Sequence, residues 1–584
     1  MKHLLLAILI FTTVTQIVSG QYYLRGEVKD EKGRLLPGVM IKLYSKGNLQ
    51  FFTGDNGSFG IPSPKLIDTI TLNADGYETF RQPVPTKQFQ TLIMKMLPAT
   101  ASLQKKRLSS ITKNLSSKEQ ISLFGAFGES YNSVIENSFI EAKTYPETGF
   151  ALNIDRASYS NIRRFLNNDL NVPTDAVRIE EMLNYFNFTT AKQENIQSQF
   201  TCNTNITNCP WNSSTNLIFV NLNAPKINLD SVPPSNLVFL IDISGSMDKP
   251  NRLPLLQAGF KLLVKNLRAI DTLSIVTYGG GVAVVLPPTS GIYKLKINQV
   301  IDSLSASGDT PGEGAIRTAY AIAKLAYKVQ GNNRVILATD GDFNIGQTSD
   351  KQLEDMITIQ RQSGIYLTCL GVGMGNYKDS KLETLAKKGN GNFAYLDNAM
   401  EAEKVLVTEF TKTIYNVADD AYASVVFNAD KVKNYRLIGF DNKKDAMADI
   451  SSQVEGGEVG SGHNLLAIFE VEMKADNNAT NTNIANINLQ YKIPKKNTDV
   501  KQAFPINYQL EDLYKADSSL RFATAVTMFG ALLKNSSYAN DYSFTDVWKL
   551  AETAIDKTNF AQQEFMVLVQ KANTIYSGMR KKKK

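Results

Sequence analysis

Between residues 236 and 415 short apolar runs alternate with longer amphipathic ones, and few folds accept that rhythm. The short runs are LVFLI (237–241), LSIVTY (273–278), VAVVL (282–286), RVILAT (334–339), YLTCLGV (366–372) and FAYL (393–396). Each has the length and branched apolar content of a strand buried on both faces. Between them lie LPLLQAGFKLLVKNL (253–267), AIRTAYAIAKLAYKV (315–329), DKQLEDMITIQRQ (350–362), SKLETLAKK (380–388) and AEKVLVTEFTKTIY (402–415). In the first of these, Leu256, Phe260, Leu263, Val264 and Leu267 line one face of a helix. Buried strands alternating with helices predict a mainly parallel sheet covered on both sides, a doubly wound α/β domain over 234–415. Gly279 to Gly281 join two runs as a hairpin, so one edge strand is expected to be antiparallel.

Ligands of such sheets bind in the crevice beyond the carboxyl ends of the strands. Asp242 ends the first apolar run, and Ser244 and Ser246 follow at alternate positions. Thr310 lies in the Gly-rich SASGDTPGEGA that leads into a helix, and Asp340 closes RVILAT. Two carboxylates and three hydroxyls are thus expected at one edge. Oxygen donors without imidazole or thiolate suit a hard divalent ion, Mg2+ or Mn2+, in octahedral geometry. Five groups, some acting through water, leave a coordination position open. Two carboxylates only about cancel the charge of the ion, which stays electrophilic toward a carboxylate of another molecule. A D-x-S-x-S pattern alone is a weak signal. In the competing reading, Asp242 and Asp340 cap strand ends while the serines cap a helix.

Taken together, Asp242, Ser244, Ser246, Thr310 and Asp340 resemble the metal-ion-dependent adhesion site of von Willebrand factor type A domains. The resemblance implies a Mg2+-dependent grip on an acidic residue of a partner protein. Asp309 and Pro311 depart from the pattern, since small or amide residues are commoner beside the threonine. The words DISGSMDKPNRLPLL, NIRRFL, VRIEEMLNYF, VKNYRLIGFDN and VGSGHNLLAIFEV are similar to a family of bacterial type A proteins. By that resemblance 131–233 and 416–584, the latter β-rich and then helical, flank the A domain. They are expected to pack on each other as a platform that the A domain interrupts.

The first twenty residues, MKHLLLAILIFTTVTQIVSG, read as a secretory signal peptide, its apolar run too short to span a bilayer. Export to the periplasm, cell envelope or exterior is the expectation. Residues 21–98 carry short strand-like runs with turns about every ten residues, an all-β sandwich. GDNGS at 54–58 reads as an Asn-Gly hairpin turn. The spacing of GEVKDEKGRLLPGVMIKL, TGDNGSFGI and LNADGYET resembles the carboxypeptidase regulatory-like domain, a transthyretin-like sandwich without catalysis. Residues 99–130 are Ser/Lys-rich and read as a linker.

Other function classes find little material. The formal charge of +7 falls almost wholly on Lys2 and on Arg580, Lys581, Lys582, Lys583 and Lys584. A near-neutral body argues against nucleic acid, although the terminal run could touch an acidic or anionic surface. The histidines are His3, in the leader, and His463, which reads as a turn or core residue, so imidazole-based catalysis is poorly served. GVGMGN at 371–376 falls short of a dinucleotide fingerprint, and no P-loop occurs. Glu180 and Glu181 beside Arg178 read as a salt-bridged surface. A disulfide between Cys202 and Cys209, in a loop-like stretch, is plausible in an exported chain, whereas Cys369 reads as a buried free thiol. The expected function is a metal-dependent protein-binding module and not an enzyme. The alternative is an envelope scaffold whose metal site is unused or filled from within.

Overall fold

The structure, a computed structural model, describes residues 22–95 and 129–580 apart from 32, 48, 55, 75–76, 133–135, 153–154, 189–198, 228–231, 309–311, 342–349, 376, 441–455, 475–480, 495 and 497. The expected leader, most of the expected linker, Thr310 and Lys581–Lys584 therefore lie outside the described residues. The chain divides into two compact units, with the boundary near Lys105.

The first unit contains β1 (Tyr22–Asp30), β2 (Met40–Leu43), β3 (Phe51–Phe52), β4 (Ser58–Ser63), β5 (Ile67–Asn73), β6 (Phe80–Pro85) and β7 (Phe89–Met94). They form two sheets, ordered β4-β1-β7 and β3-β2-β5-β6. Alternate residues face inward, so Leu24, Val28, Ile41, Leu43, Ile61, Ile70 and Leu72 form one core between the sheets. The GDNGS turn does not close a hairpin. It carries the chain from β3, paired with β2, to β4, paired with β1 in the other sheet.

In the second unit the alternating region forms β12 (Ser235–Asp242), α3 (Leu253–Asn266), β13 (Thr272–Tyr278), β14 (Ala283–Ser290), α4 (Lys294–Asp302), α5 (Glu313–Leu325), β15 (Asn332–Thr339), α6 (Asp350–Gln362), β16 (Ile365–Val372), α7 (Asp379–Lys388) and β17 (Phe393–Leu396). Its sheet runs β14-β13-β12-β15-β16-β17. All neighbours are parallel except β14, which runs antiparallel to β13 as the glycine-joined hairpin requires. One face of the sheet packs Leu237, Phe239 and Ile241 against Leu256, Phe260 and Leu263 of α3. The other face packs Val238, Leu240 and Leu337 against Ile316 and Ala319 of α5. Helix α4 carries only Ile297 and Ile301 as buried apolar residues, too thin a stripe to be legible in the sequence. The single helix expected at 402–415 is broken. It consists of α8 (Ala399–Glu403), a π-helical turn over Lys404–Thr408 and α9 (Phe410–Ile414).

The flanking regions share both remaining sheets. Before the A domain come β8 (Ile140–Glu141), β9 (Glu147–Ala151), α1 (Ala157–Asn167), α2 (Ile179–Tyr185), β10 (Thr201–Asn208) and β11 (Asn216–Asn223). After it come β18 (Asn416–Phe427), β19 (Val432–Ile438), β20 (Gly457–Gly460), β21 (Asn464–Met473), β22 (Asn483–Ile493), β23 (Thr498–Asn507), β24 (Leu510–Glu511), α10 (Ser518–Leu533), α11 (Phe544–Glu552) and α12 (Phe560–Arg580). One sheet is ordered β24-β10-β11-β21-β19-β8, and the other β20-β18-β22-β23 with β9 also on β18. Strands β11 and β21 pair antiparallel from Asn216 opposite Val471 to Asn223 opposite Asn464. Phe150, Val220, Val425, Phe469 and Ile487 pack between these sheets. Phe186, Phe522, Phe529 and Phe565 tie α10 and α12 to the residues around α2. The chain enters and leaves the A domain at one place, where the Ser235 and Tyr415 hydroxyls are 2.6 Å apart.

The cysteine expectation needs correcting in part. Cys202, Cys209 and Cys369 are all free. Cys202 lies near the start of β10 and Cys209 just past its end. A strand rises about 3.3 Å per residue, far beyond the ~7 Å over which two Cα atoms can be bridged.

Candidate metal centre

Asp242 and Asp340 end up side by side because β12 and β15 are adjacent parallel strands, with Ile241 opposite Ala338. The sheet also grows in both directions from β12, with β13 on one side and β15 on the other. This is the position at which open α/β sheets leave a crevice. Asp242 is the last residue of β12 and is 1% exposed. Its Oδ1 accepts from the Ser244 amide at 2.9 Å, and its Oδ2 from the hydroxyls of Thr339 at 2.8 Å and Tyr278 at 3.1 Å. The Ser246 hydroxyl donates to Asp340 at 2.7 Å and lies 3.2 Å from that of Ser244. The structure thus brings together Asp242, Ser244, Ser246 and Asp340, and Thr310 lies outside the described residues. The nearest described part of its loop touches the site, since the Gly245 amide donates to Gly308 at 2.9 Å.

Burial pushes the Asp242 carboxyl above its ordinary range, and the neighbouring Asp340 charge adds to this, against the hydrogen bonds from Ser244 and Thr339. A divalent cation would reverse that balance by giving both carboxylates a counter-charge. The donor set is all oxygen, two carboxylates and two hydroxyls in hydrogen-bond contact, and it fits a hard ion of the Mg2+ type.

Three contributors escaped the sequence reading. Tyr278 and Thr339 hold Asp242 in place from the strands on either side. The third is Arg252, 5% exposed, whose guanidinium pairs with Asp340, donates to the Ser246 carbonyl at 2.7 Å and to the Met374 carbonyl at 2.8 Å. Gly373, with φ +77°, makes room for it, because a Cβ there would lie 2.4 Å from the Arg252 Nε. An arginine ahead of a helix reads in sequence as a solvated charge, and only the fold turns it inward.

A second acidic group lies where the A domain meets the platform. Carboxylate oxygens of Asp155, Glu181 and Glu383 fall within 4.8 Å of one another, all three buried. Two of the three are already paired with cations, and Asp155 accepts from the Phe393 amide at 3.0 Å. Arg178 pairs with Glu181 and with Asp379 at 2.9 Å, and Lys387 pairs with Glu383, which also accepts from Asn132 at 2.8 Å. Burial raises Asp155, whereas Lys387 and Arg178 hold Glu383 low against its own burial. The expectation of a salt-bridged surface around Glu181 is therefore half corrected. The ion pairs exist, but Arg178 and Glu181 are 2% and 4% exposed and sit inside an interface. The arginines of NIRRFL belong to the same seam. Arg163 meets Asp397 at 2.7 Å, Glu401 at 2.7 Å and Glu564 at 2.9 Å. Arg164 meets Glu129 at 2.8 Å, and Glu129 in turn accepts from the Gly375 amide at 2.8 Å, one residue beyond the carbonyl that Arg252 holds.

Family models agree with this division. The model of the von Willebrand factor type A domain matches residues 236–412. A model described as von Willebrand factor matches 126–219, and one described as the C-terminal part of uncharacterized protein YfbK matches 412–575. The chain is 34% identical to uncharacterized protein YfbK of Escherichia coli (strain K12) over 469 residues, 76% of this chain and 81% of that protein. It is 27% identical over 187 residues to the magnesium-chelatase 67 kDa subunit of Chlorobaculum parvum, covering 29% of each. Among solved structures, a von Willebrand factor type A protein from Catenulispora acidiphila aligns over 62% of this chain and 88% of that one, with 15% identity and a TM-score of 0.37.

Proposed function

The chain belongs to the YfbK-like family of von Willebrand factor type A proteins, and from that premise we propose that it is an exported, metal-dependent protein-binding module. In this reading Asp242, Ser244, Ser246, Thr310 and Asp340 hold Mg2+ or Mn2+, directly or through water, and the ion takes a carboxylate of the partner in its remaining position. The observation that carries it is the meeting of four oxygen-bearing side chains, from two separate loops, at the carboxyl ends of two adjacent parallel strands. The ion would supply the attraction for the acid. The chain's own residues fix where it sits: Thr339 and Tyr278 orient Asp242, while Arg252 pairs with Asp340.

A scaffold role is the second reading, and the Arg252–Asp340 pair favours it, because the guanidinium already supplies a cation to that carboxylate. Titration calorimetry with Mg2+ and Mn2+ on wild type and Asp242→Ala separates the two. Saturable binding that the substitution abolishes, with circular dichroism unchanged, supports the metal site; equal heats in both proteins refute it. Export rests on the leader-like first twenty residues. No helix among the described residues is long and apolar enough to cross a membrane. We read residues 21–98 as a carboxypeptidase regulatory-like domain that precedes the binding module.

A further inference from the structure

His463 is buried, 3% exposed, and neither of its ring nitrogens has a hydrogen-bond partner. An imidazole that leaves both a donor and an acceptor unanswered loses hydrogen bonds it would make in water. It occupies the turn between β20 and β21, and that turn is pressed on the last helical segment of the A domain. A Cβ on Gly460 would lie 1.6 Å from the Lys412 carbonyl oxygen, so the turn and the Lys412 backbone are in direct contact.

The charges that act on this imidazole are those of Arg156, Lys412 and Lys404, with Glu409 set among them. Arg156, at the start of α1, pairs with Glu409, and Lys412 lies 3.5 Å from the same carboxylate. Lys404 donates to the Tyr185 carbonyl at 2.9 Å and stands over the Tyr185 ring, 3.1 Å from its centre. Lys226 lines the outer rim, 3.4 Å from where a Cβ of Gly462 would be. The nearby Glu401 is taken by Arg163 and Tyr185. Lys404 opens the π-helical turn, in which the Glu409 amide reaches back to the Lys404 carbonyl at 2.8 Å. Such turns are rare and gather at functional sites. Arg156, Lys404 and Lys412 are only part-buried, and Lys226 is exposed.

We infer that Arg156, Lys404, Lys412 and His463, with Lys226 at the rim, form a binding site for a small oxyanion at the junction of the A domain and its platform. The cations supply the charge and the imidazole N–H a directed donor. Burial together with the mutual repulsion of these groups already presses Lys404 down to about 7, Lys412 to about 8 and His463 well below its usual range. An anion would relieve that repulsion. Lys404 and Lys412 come from the inserted domain, Arg156, Lys226 and His463 from the platform, so a bound anion would fasten one to the other. This inference is independent of the metal centre.

The test uses the full chain with inorganic phosphate as probe, acetate as the carboxylate arm, and chloride at matched ionic strength as control. Phosphate is expected to raise the melting temperature saturably and to give a one-site isotherm, with chloride inert. A response to acetate as well assigns the site to oxyanions generally, and a response to phosphate alone narrows it to phosphate. Lys412→Met and His463→Gln should each weaken phosphate binding at least tenfold. Lys412→Met keeps the measurement informative if the histidine variant fails to fold, because it keeps the aliphatic stem and gives up only a long 3.5 Å pair with Glu409, which Arg156 still holds. Phosphate indistinguishable from chloride, or an isotherm unchanged in Lys412→Met, overturns the inference.

Discussion

The Ser246 hydroxyl donates to Asp340 at 2.7 Å, joining two loops that stand 94 residues apart in sequence. An ion entering between them would take both oxygens as ligands and so replace that hydrogen bond. Arg252 holds the same carboxylate. Arg252→Met should therefore tighten Mn2+ binding by roughly tenfold, about 1.4 kcal/mol, because Asp340 would no longer be shared. Calorimetry decides it, and weaker binding would show that the arginine positions Asp340 more than it competes for it.

The seam between A domain and platform depends on Arg163, 3% exposed, with Asp397, Glu401 and Glu564 as partners. Breaking a buried pair by removing one member costs about 3–5 kcal/mol. Arg163→Met should lower stability by that order, measured as the midpoint of urea unfolding. A loss under about 1 kcal/mol would place the pair among weak, surface-like ones.

Burial, partly offset by Arg178, pushes Asp379 from 3.8 to about 7. A folded pKa above the unfolded one means that the folded chain binds the proton more tightly. Its contribution to stability is then complete below about pH 4 and is lost as pH rises through about 7. Asp379→Asn cannot lose a proton, so it should gain stability relative to wild type across that window. Melting temperatures of both proteins from pH 4 to 8 test this, and a constant difference would contradict it.

Burial raises both Cys202 and Cys209 to about 12, which suppresses their thiolates and slows disulfide exchange. Denatured but unreduced protein should yield all three thiols to a colorimetric reagent, and one thiol per chain would restore the disulfide.

The A domain was largely legible because its strands are uninterrupted apolar runs and its helices carry wide stripes, two signals of different period. Asp242, Ser244, Ser246 and Asp340 could be picked out for a related reason: polar side chains at the ends of such runs have few other places to go. The platform was harder. Its strands β8 and β24 have two residues each, and its sheets join segments more than 240 residues apart, as Asn216 and Val471 do. Pairing at that range leaves no local pattern. Arg178 was read with Glu180 and Glu181 as surface, and Arg163 and Arg252 were passed over, since charge in or beside a helix reads as solvated. Only their partners, distant in sequence, make them interior residues.

The contact of Ser235 with Tyr415 has a mechanical meaning. Because the A domain begins and ends at one point, tension along the chain would pass from β11 and β9 directly into β21 and β18, across paired strands. The inserted domain would hang outside that line of force. A partner held at its far edge, as proposed above, could pull on it without stretching the chain between its two ends, so that contact and the paired sheet could fail separately.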